Sequence, residues 1–147
     1  MLTAGGAAAF SIGIAAADNS SFKVDGNLAA VLSLLARDGV AQKISAQLLL
    51  YPNTDAGQTT DSFVRFSEGY GLTASTMRWF RDHYVRDAAD IGDWRVSPLR
   101  VGNVVGLPPA FVAIAGQDIL ADEGEAYARR LAEAGVPASQ IRMRVAQ

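Results

Sequence analysis

The chain has 147 residues, half of them hydrophobic and 19% charged, with a formal net charge of -2. That is the composition of one globular domain, and nothing in it forms the basic patch that nucleic acid would require. There is no cysteine and only one histidine, His83, which excludes disulfides, a thiolate nucleophile and any multi-histidine metal site within one chain.

The first stretch, "MLTAGGAAAFSIGIAAAD", is apolar and uncharged until Asp18. It has the small residues of a signal-peptide end but no Lys or Arg near its start, so a cytoplasmic chain is expected, with secretion left open. No membrane span is expected, because the run is short and rich in Gly and Ala. Its core, "AFSIGIAAA", reads as a buried strand. Asp18 to Ser21 follow as turn and N-cap residues. Asn27 to Ala36 then carries Leu28, Val31, Leu32 and Leu35 at helical spacing, and Gly39 stops it.

"KISAQLLLYP" is the next strand. Its run from Ala46 to Tyr51 is continuous rather than alternating, as in a parallel strand covered on both faces, and Pro52 ends it. Asn53 to Ser62 is polar and loop-like. Leu72 to Val85 reads as a helix capped by Thr73 or Ser75, with Met77, Phe80 and Tyr84 on one stripe and Trp79 nearby. A long connection full of turn signals leads to "PAFVAIAGQD", another buried strand. "DEGEAYARRLAEAGVP" is a helix with acids in its first turn and a stop at Gly135. "QIRMRVAQ" reads as a last strand. Repeated strand–helix units of this kind predict an α/β fold with a mostly parallel sheet and helices on its faces.

Several of these stretches, in this order, resemble the hormone-sensitive-lipase-like branch of the α/β-hydrolases, the bacterial family IV carboxylesterases. "GNLAAVLSLLARD" is similar to the family's helix after the nucleophile. "KISAQLLLYPNTD" is similar to its next strand. "SFVRFSEGYGLTASTMRWFRDHYV", "DWRVSPLR" and "LPPAFVAIAGQDILADEGEAYARRLAEAGVP" follow. The resemblance covers residues 26 to 143, with residues 1 to 25 divergent. It implies a single truncated α/β-hydrolase domain, a half-sheet of about four strands. It implies a family chemistry of ester hydrolysis by serine, aspartate and histidine on short acyl esters, without metal or cofactor.

Asp118 stands where the resemblance puts the triad acid; the plainer reading is an aspartate that caps the following helix. The nucleophile segment departs from the family's Gly-Asp-Ser-Ala-Gly-Gly-Asn. Aligned without a gap on Gly26-Asn27, the chain has Lys23 in place of the serine and Asp25 in place of a glycine. A gapped register would set Asp18 in the elbow and let Ser20 or Ser21 attack; against it, both serines read as caps. His83 does not match the family histidine, whose loop lies beyond the last strand, and the upstream oxyanion segment has no counterpart. The expectation is a fragment of an ester hydrolase, inactive alone. The alternatives are an active esterase using Ser20 or Ser21 with Asp118 and a histidine from another chain, or a non-enzymatic interaction module. In each, "AFSIGIAAA" is expected as an exposed sheet edge that drives self-association.

Overall fold

A computed structural model describes residues 12–17 and 20–144, and from 12 to 25 it describes the course of the backbone only. The start of "AFSIGIAAA", the signal-like residues before it, and Asp18 and Asn19 lie outside the described residues. A five-stranded sheet runs in the order β2-β1-β3-β4-β5. Its strands are β1 (Ile12–Ala17), β2 (Ser20–Asp25), β3 (Ala46–Leu50), β4 (Ala110–Ala115) and β5 (Ala138–Met143). β3, β4 and β5 are paired in parallel. β1 is antiparallel to both of its neighbours, β2 and β3, so β2 points the same way as the other three.

β3, β4 and β5 are therefore the parallel sheet that the sequence implied, but the first part of the sheet differs from expectation. Ser20 and Ser21, the second half of the segment read as a turn and cap, begin strand β2, which pairs antiparallel with β1. The edge on that side is β2, not the strand within "AFSIGIAAA", which lies inside the sheet. Ser20 and Ser21 are consequently strand residues, separated from the start of α1 by the rest of β2. The physical reason is visible in the residues: Phe22 and Val24 alternate with polar neighbours, a period-two pattern that favours a strand.

α1 (Gly26–Arg37) starts directly after β2. α4 (Ala121–Glu133) follows β4, and Gly135, with φ +78°, provides the left-handed stop expected of it. Both helices pack on one face of the sheet. Ala29, Ala30 and Leu34 of α1 meet Leu49, Val112 and Ile114 of the strands and Tyr127, Ala128 and Leu131 of α4 in one core. The long connection after α3 closes this core from the side, held by two 3-10 turns and by Arg130, whose guanidinium donates to the Leu99 and Val101 carbonyls.

A second, smaller core sits beyond the carboxyl ends of the strands. Here α2 (Asp61–Arg65), a one-turn helix that begins in the last two residues of the segment read as loop, and α3 (Ala74–Tyr84) bury Phe63, Leu72, Ala74 and Met77 against Ile119 and Leu120. Thr73 caps α3 as expected, accepting from the Thr76 amide at 3.2 Å. Its expected apolar stripe is only partly used: Met77 is buried, whereas Trp79, Phe80 and Tyr84 are exposed.

Candidate functional site

The carboxyl ends of parallel strands are where an α/β sheet gathers its chemistry, because loops and helix starts converge there. β4 ends at Ala115, and the chain turns through Gly116 and Gln117 to Asp118. The turn is tight against β5: the Gly116 amide donates to the Met143 carbonyl at 2.7 Å, and a Cβ at Gly116 would lie 2.9 Å from that same oxygen. Only glycine fits without moving β5. Asp118 is half-buried, and burial raises its carboxyl pKa above the usual range, opposed by the Leu120 amide. That amide donates to Asp118 Oδ1 at 2.8 Å. Asp118 thus does close a local turn, while α4 begins at Ala121 without a side-chain cap.

Beside it, β3 ends in Tyr51, whose φ of +49° lies in the left-handed region that a bulky residue rarely enters. The bend sends Pro52, Asn53 and Thr54 away from the sheet. Tyr51, Pro52, Ala115, Asp118 and Leu120 wall one shallow crevice between the two strand ends. The Tyr51 hydroxyl reaches Met143 Sδ at 3.9 Å.

Behind this crevice Glu123 is 1% exposed. Its Oε1 accepts from the Thr54 amide at 2.7 Å and the Asp55 amide at 3.3 Å, and the Thr54 hydroxyl donates to the Glu123 carbonyl at 2.9 Å. Desolvation pushes its pKa to about 8 despite these amides, with Asp55 and Asp118 adding a smaller push the same way. In the sequence Glu123 is one of two acids that suit the start of a helix, and nothing in the string separates it from Asp122. Burial arises because the loop after Tyr51 folds back over it.

On the next strand end, α1 starts where the structure joins β2 to a helix. Asn27 Nδ2 donates to the Asn53 carbonyl at 3.0 Å and the Val96 carbonyl at 2.7 Å, tying the helix start to two loops. A hollow of about 250 Å³ opens beside Asn27, walled by Leu28, Asn53, Phe80, Arg81 and Tyr84 among others.

The sequence candidates fall in different places. Ser21 pairs with Ala16, which also pairs with Ala46, the first residue of β3. Ser20 and Ser21 therefore lie at the row of amino ends. Asp25, by contrast, shares the carboxyl-end row with Ile12 and Leu50. Four residues separate Ser21 from that row, about 13 Å at the usual strand rise. Asp118 lies past the carboxyl end of β4, so the structure does not bring the two serines to it. Lys23 pairs with Ile14 within the sheet, two residues before the junction with α1, and Asp25 and Gly26 form that junction. His83 is on the exposed side of α3, its Nδ1 2.7 Å from the Trp79 carbonyl and its ring 4.1 Å from the Trp79 ring. Among the described residues, no helix is long and apolar enough to cross a membrane.

A strand-to-helix start at β2–α1, a parallel β3–β4–β5 sheet and an aspartate past β4 define part of an α/β-hydrolase sheet. A family model described as the alpha/beta hydrolase fold matches residues 25–146, and the chain belongs to that family. Several of the proteins it resembles are named as ester hydrolases. It is 44% identical over 115 residues to the carboxylic ester hydrolase LipN of Mycobacterium tuberculosis, spanning 75% of this chain and 31% of that one. It is 41% identical over 117 residues to the ethyl acetate hydrolase of Pseudomonas putida, spanning 77% and 36%. In structure it matches a thermostable esterase from Pseudomonas putida with a TM-score of 0.78 at 44% identity, over 82% of this chain and 40% of that one. The chain therefore spans roughly a third of the length of these relatives.

Proposed function

We propose that this chain is part of a carboxylic ester hydrolase, that it contributes the acid Asp118 to the catalytic centre, and that it does not hydrolyse esters by itself. The observation that carries the reading is the position of Asp118. It lies past the carboxyl end of a central parallel strand, half-buried, at the end of a turn that Gly116 holds against β5. In ester hydrolysis by a serine, the acid accepts a hydrogen bond from the histidine and holds it in the tautomer that takes the serine proton. Such an acid has to be fixed and partly shielded, and Asp118 is both. The substrate on this reading is a short acyl ester.

Three features support inactivity of the chain alone. Lys23 stands where the family serine would be. Its strand runs on for two residues instead of turning there. The single histidine faces solvent on α3. The strand register also argues against Ser20 or Ser21 as partners of Asp118 within one chain. The same proposal includes self-association through sheet surface. β2 is an edge strand, and Phe111, Ile141 and Met143 are exposed on β4 and β5. Hydrolysis of p-nitrophenyl acetate tests the reading. The expected rate equals that of Asp118→Asn and of buffer; a rate well above buffer that falls in Asp118→Asn would overturn inactivity.

A further inference from the structure

One residue, Ser62, sends three hydrogen bonds into the four residues that follow Asp118. Its Oγ donates to the Ile119 carbonyl at 3.1 Å and accepts from the Asp122 amide at 3.1 Å, while its own amide donates to Asp122 Oδ2 at 2.7 Å. Ser62 is 2% exposed. Capping does not account for it, because Thr60 caps α2, its Oγ1 accepting from the Phe63 amide at 3.2 Å. Phe63, the next residue, buries its ring with Ile119 and Leu120. The segment from Ile119 to Asp122 is therefore gripped from α2 by polar bonds and apolar packing together. On its other side, Asp118 Oδ1 receives the Leu120 amide and the Asp118 carbonyl receives the Ala121 amide at 3.1 Å.

We propose that Ser62 is a positioning residue for Asp118: with Asp122 it forms a clamp that fixes the turn carrying the carboxylate, and so the direction in which that carboxylate points. The proposal rests on the reading of Asp118 as the acid of an ester hydrolase. A group that orients a histidine is useful only if held to within about half an ångström. A turn at the end of a strand does not achieve that by its own bonds, since local openings concentrate where backbone hydrogen bonds are few. The clamp supplies bonds to both flanks of Leu120, whose amide is the one that holds the Asp118 side chain.

The test uses the intact chain with four substitutions. Ser62→Ala and Asp122→Ala each break the clamp. Asp122→Asn keeps a carbonyl to accept the Ser62 amide. Val64→Ala is the control, on the same helix but 71% exposed. Two quantities are read by NMR: hydrogen exchange of the Leu120 amide and the pH titration of the Asp118 carboxyl. Glu123 and Asp55, the charged groups of the neighbouring network, are unaltered in every variant. The clamp predicts that Leu120 exchange rises about tenfold or more in Ser62→Ala and Asp122→Ala. Asp118 then titrates at lower pH, because the burial that raises its pKa is a larger effect than the Leu120 bond that lowers it; Asp122→Asn restores both, and Leu131 in α4 keeps its protection. Unchanged Leu120 exchange and Asp118 titration in folded Ser62→Ala and Asp122→Ala would overturn the proposal. If Ser62→Ala does not fold, the Asp122→Ala and Asp122→Asn pair decides by the same two readouts. Neither readout needs substrate, so failure of the ester reading shows separately, in hydrolysis assays of Asp118→Asn.

Discussion

Glu123 has its pKa raised mainly by its own burial, and Asp55 and Asp118 lie close enough to raise it further. Its pKa of about 8 lies far above the ordinary value of 4.5, so the folded chain holds it neutral over a range in which the unfolded chain ionises it. A pKa raised by folding contributes stability that is present below the unfolded value and is lost as pH rises towards the folded one. From about pH 4.5 to 8, this site should therefore cost up to about 1.4 kcal/mol per pH unit. Glu123→Gln keeps an oxygen for the Thr54 and Asp55 amides and has no charge to desolvate. Thermal melts from pH 5 to 9 are expected to show the variant more stable at pH 8, by a few kcal/mol at most, with a shallower pH slope. An unchanged slope would contradict the assignment. Tyr127 presents a simpler case. It is wholly buried and its hydroxyl has no hydrogen-bond partner among the described residues. Leaving a buried hydroxyl unpaired costs roughly 1–3 kcal/mol, so Tyr127→Phe is expected to raise the melting temperature or leave it unchanged. Neither residue was legible in the sequence. The string shows "DEGEAY" as the start of an amphipathic helix, and only the loop folded over it after Tyr51 determines which acid loses water.

At the scale of elements, the long apolar segments were legible because burial on both sides writes itself as a continuous run. Ala46 to Leu50 and Ala110 to Ala115 are strands as read, and Asn27 to Ala36 lies within α1. α3 was legible from its cap. Thr73→Ala removes the acceptor for the Thr76 amide and is expected to cost about 1 kcal/mol by chemical denaturation. A loss near zero would mean that packing of Met77 and Ala74 alone holds the helix start. Of the β1–β2 hairpin, β1 is a strand as expected, whereas β2 differs from expectation for a definite reason. Serines and acids before a helix are the usual signature of a cap, and that local rule competed with a weak period-two pattern in Ser20–Asp25. α2 was hidden because one turn of helix is too short to carry a periodicity. It matters nonetheless, because it carries Ser62. Of the site, the sequence showed Asp118 and the end of β4 but not the clamp, since the clamp joins segments 60 residues apart.

For the whole molecule, the match to the family model and the span of roughly a third of the relatives' length set the terms. A parallel sheet is ordinarily covered on both faces, yet the described helices of the main core lie on one. Phe111, Ile141 and Met143 are 42%, 48% and 38% exposed. Sizing at micromolar concentration is expected to show species larger than a monomer, and Phe111→Lys with Ile141→Lys is expected to shift them towards the monomer. A monomer at all concentrations would contradict association through this surface. The central claim is that residues 26–144 carry a working acid at Asp118. Grafting them into the Pseudomonas putida ethyl acetate hydrolase in place of its matching segment tests this most directly, with the family serine built at the junction and the relative's own flanks retained. The account predicts hydrolysis of p-nitrophenyl acetate by the graft and a fall of about a thousandfold or more in kcat on Asp118→Asn. An active graft whose rate is unchanged by Asp118→Asn would contradict it.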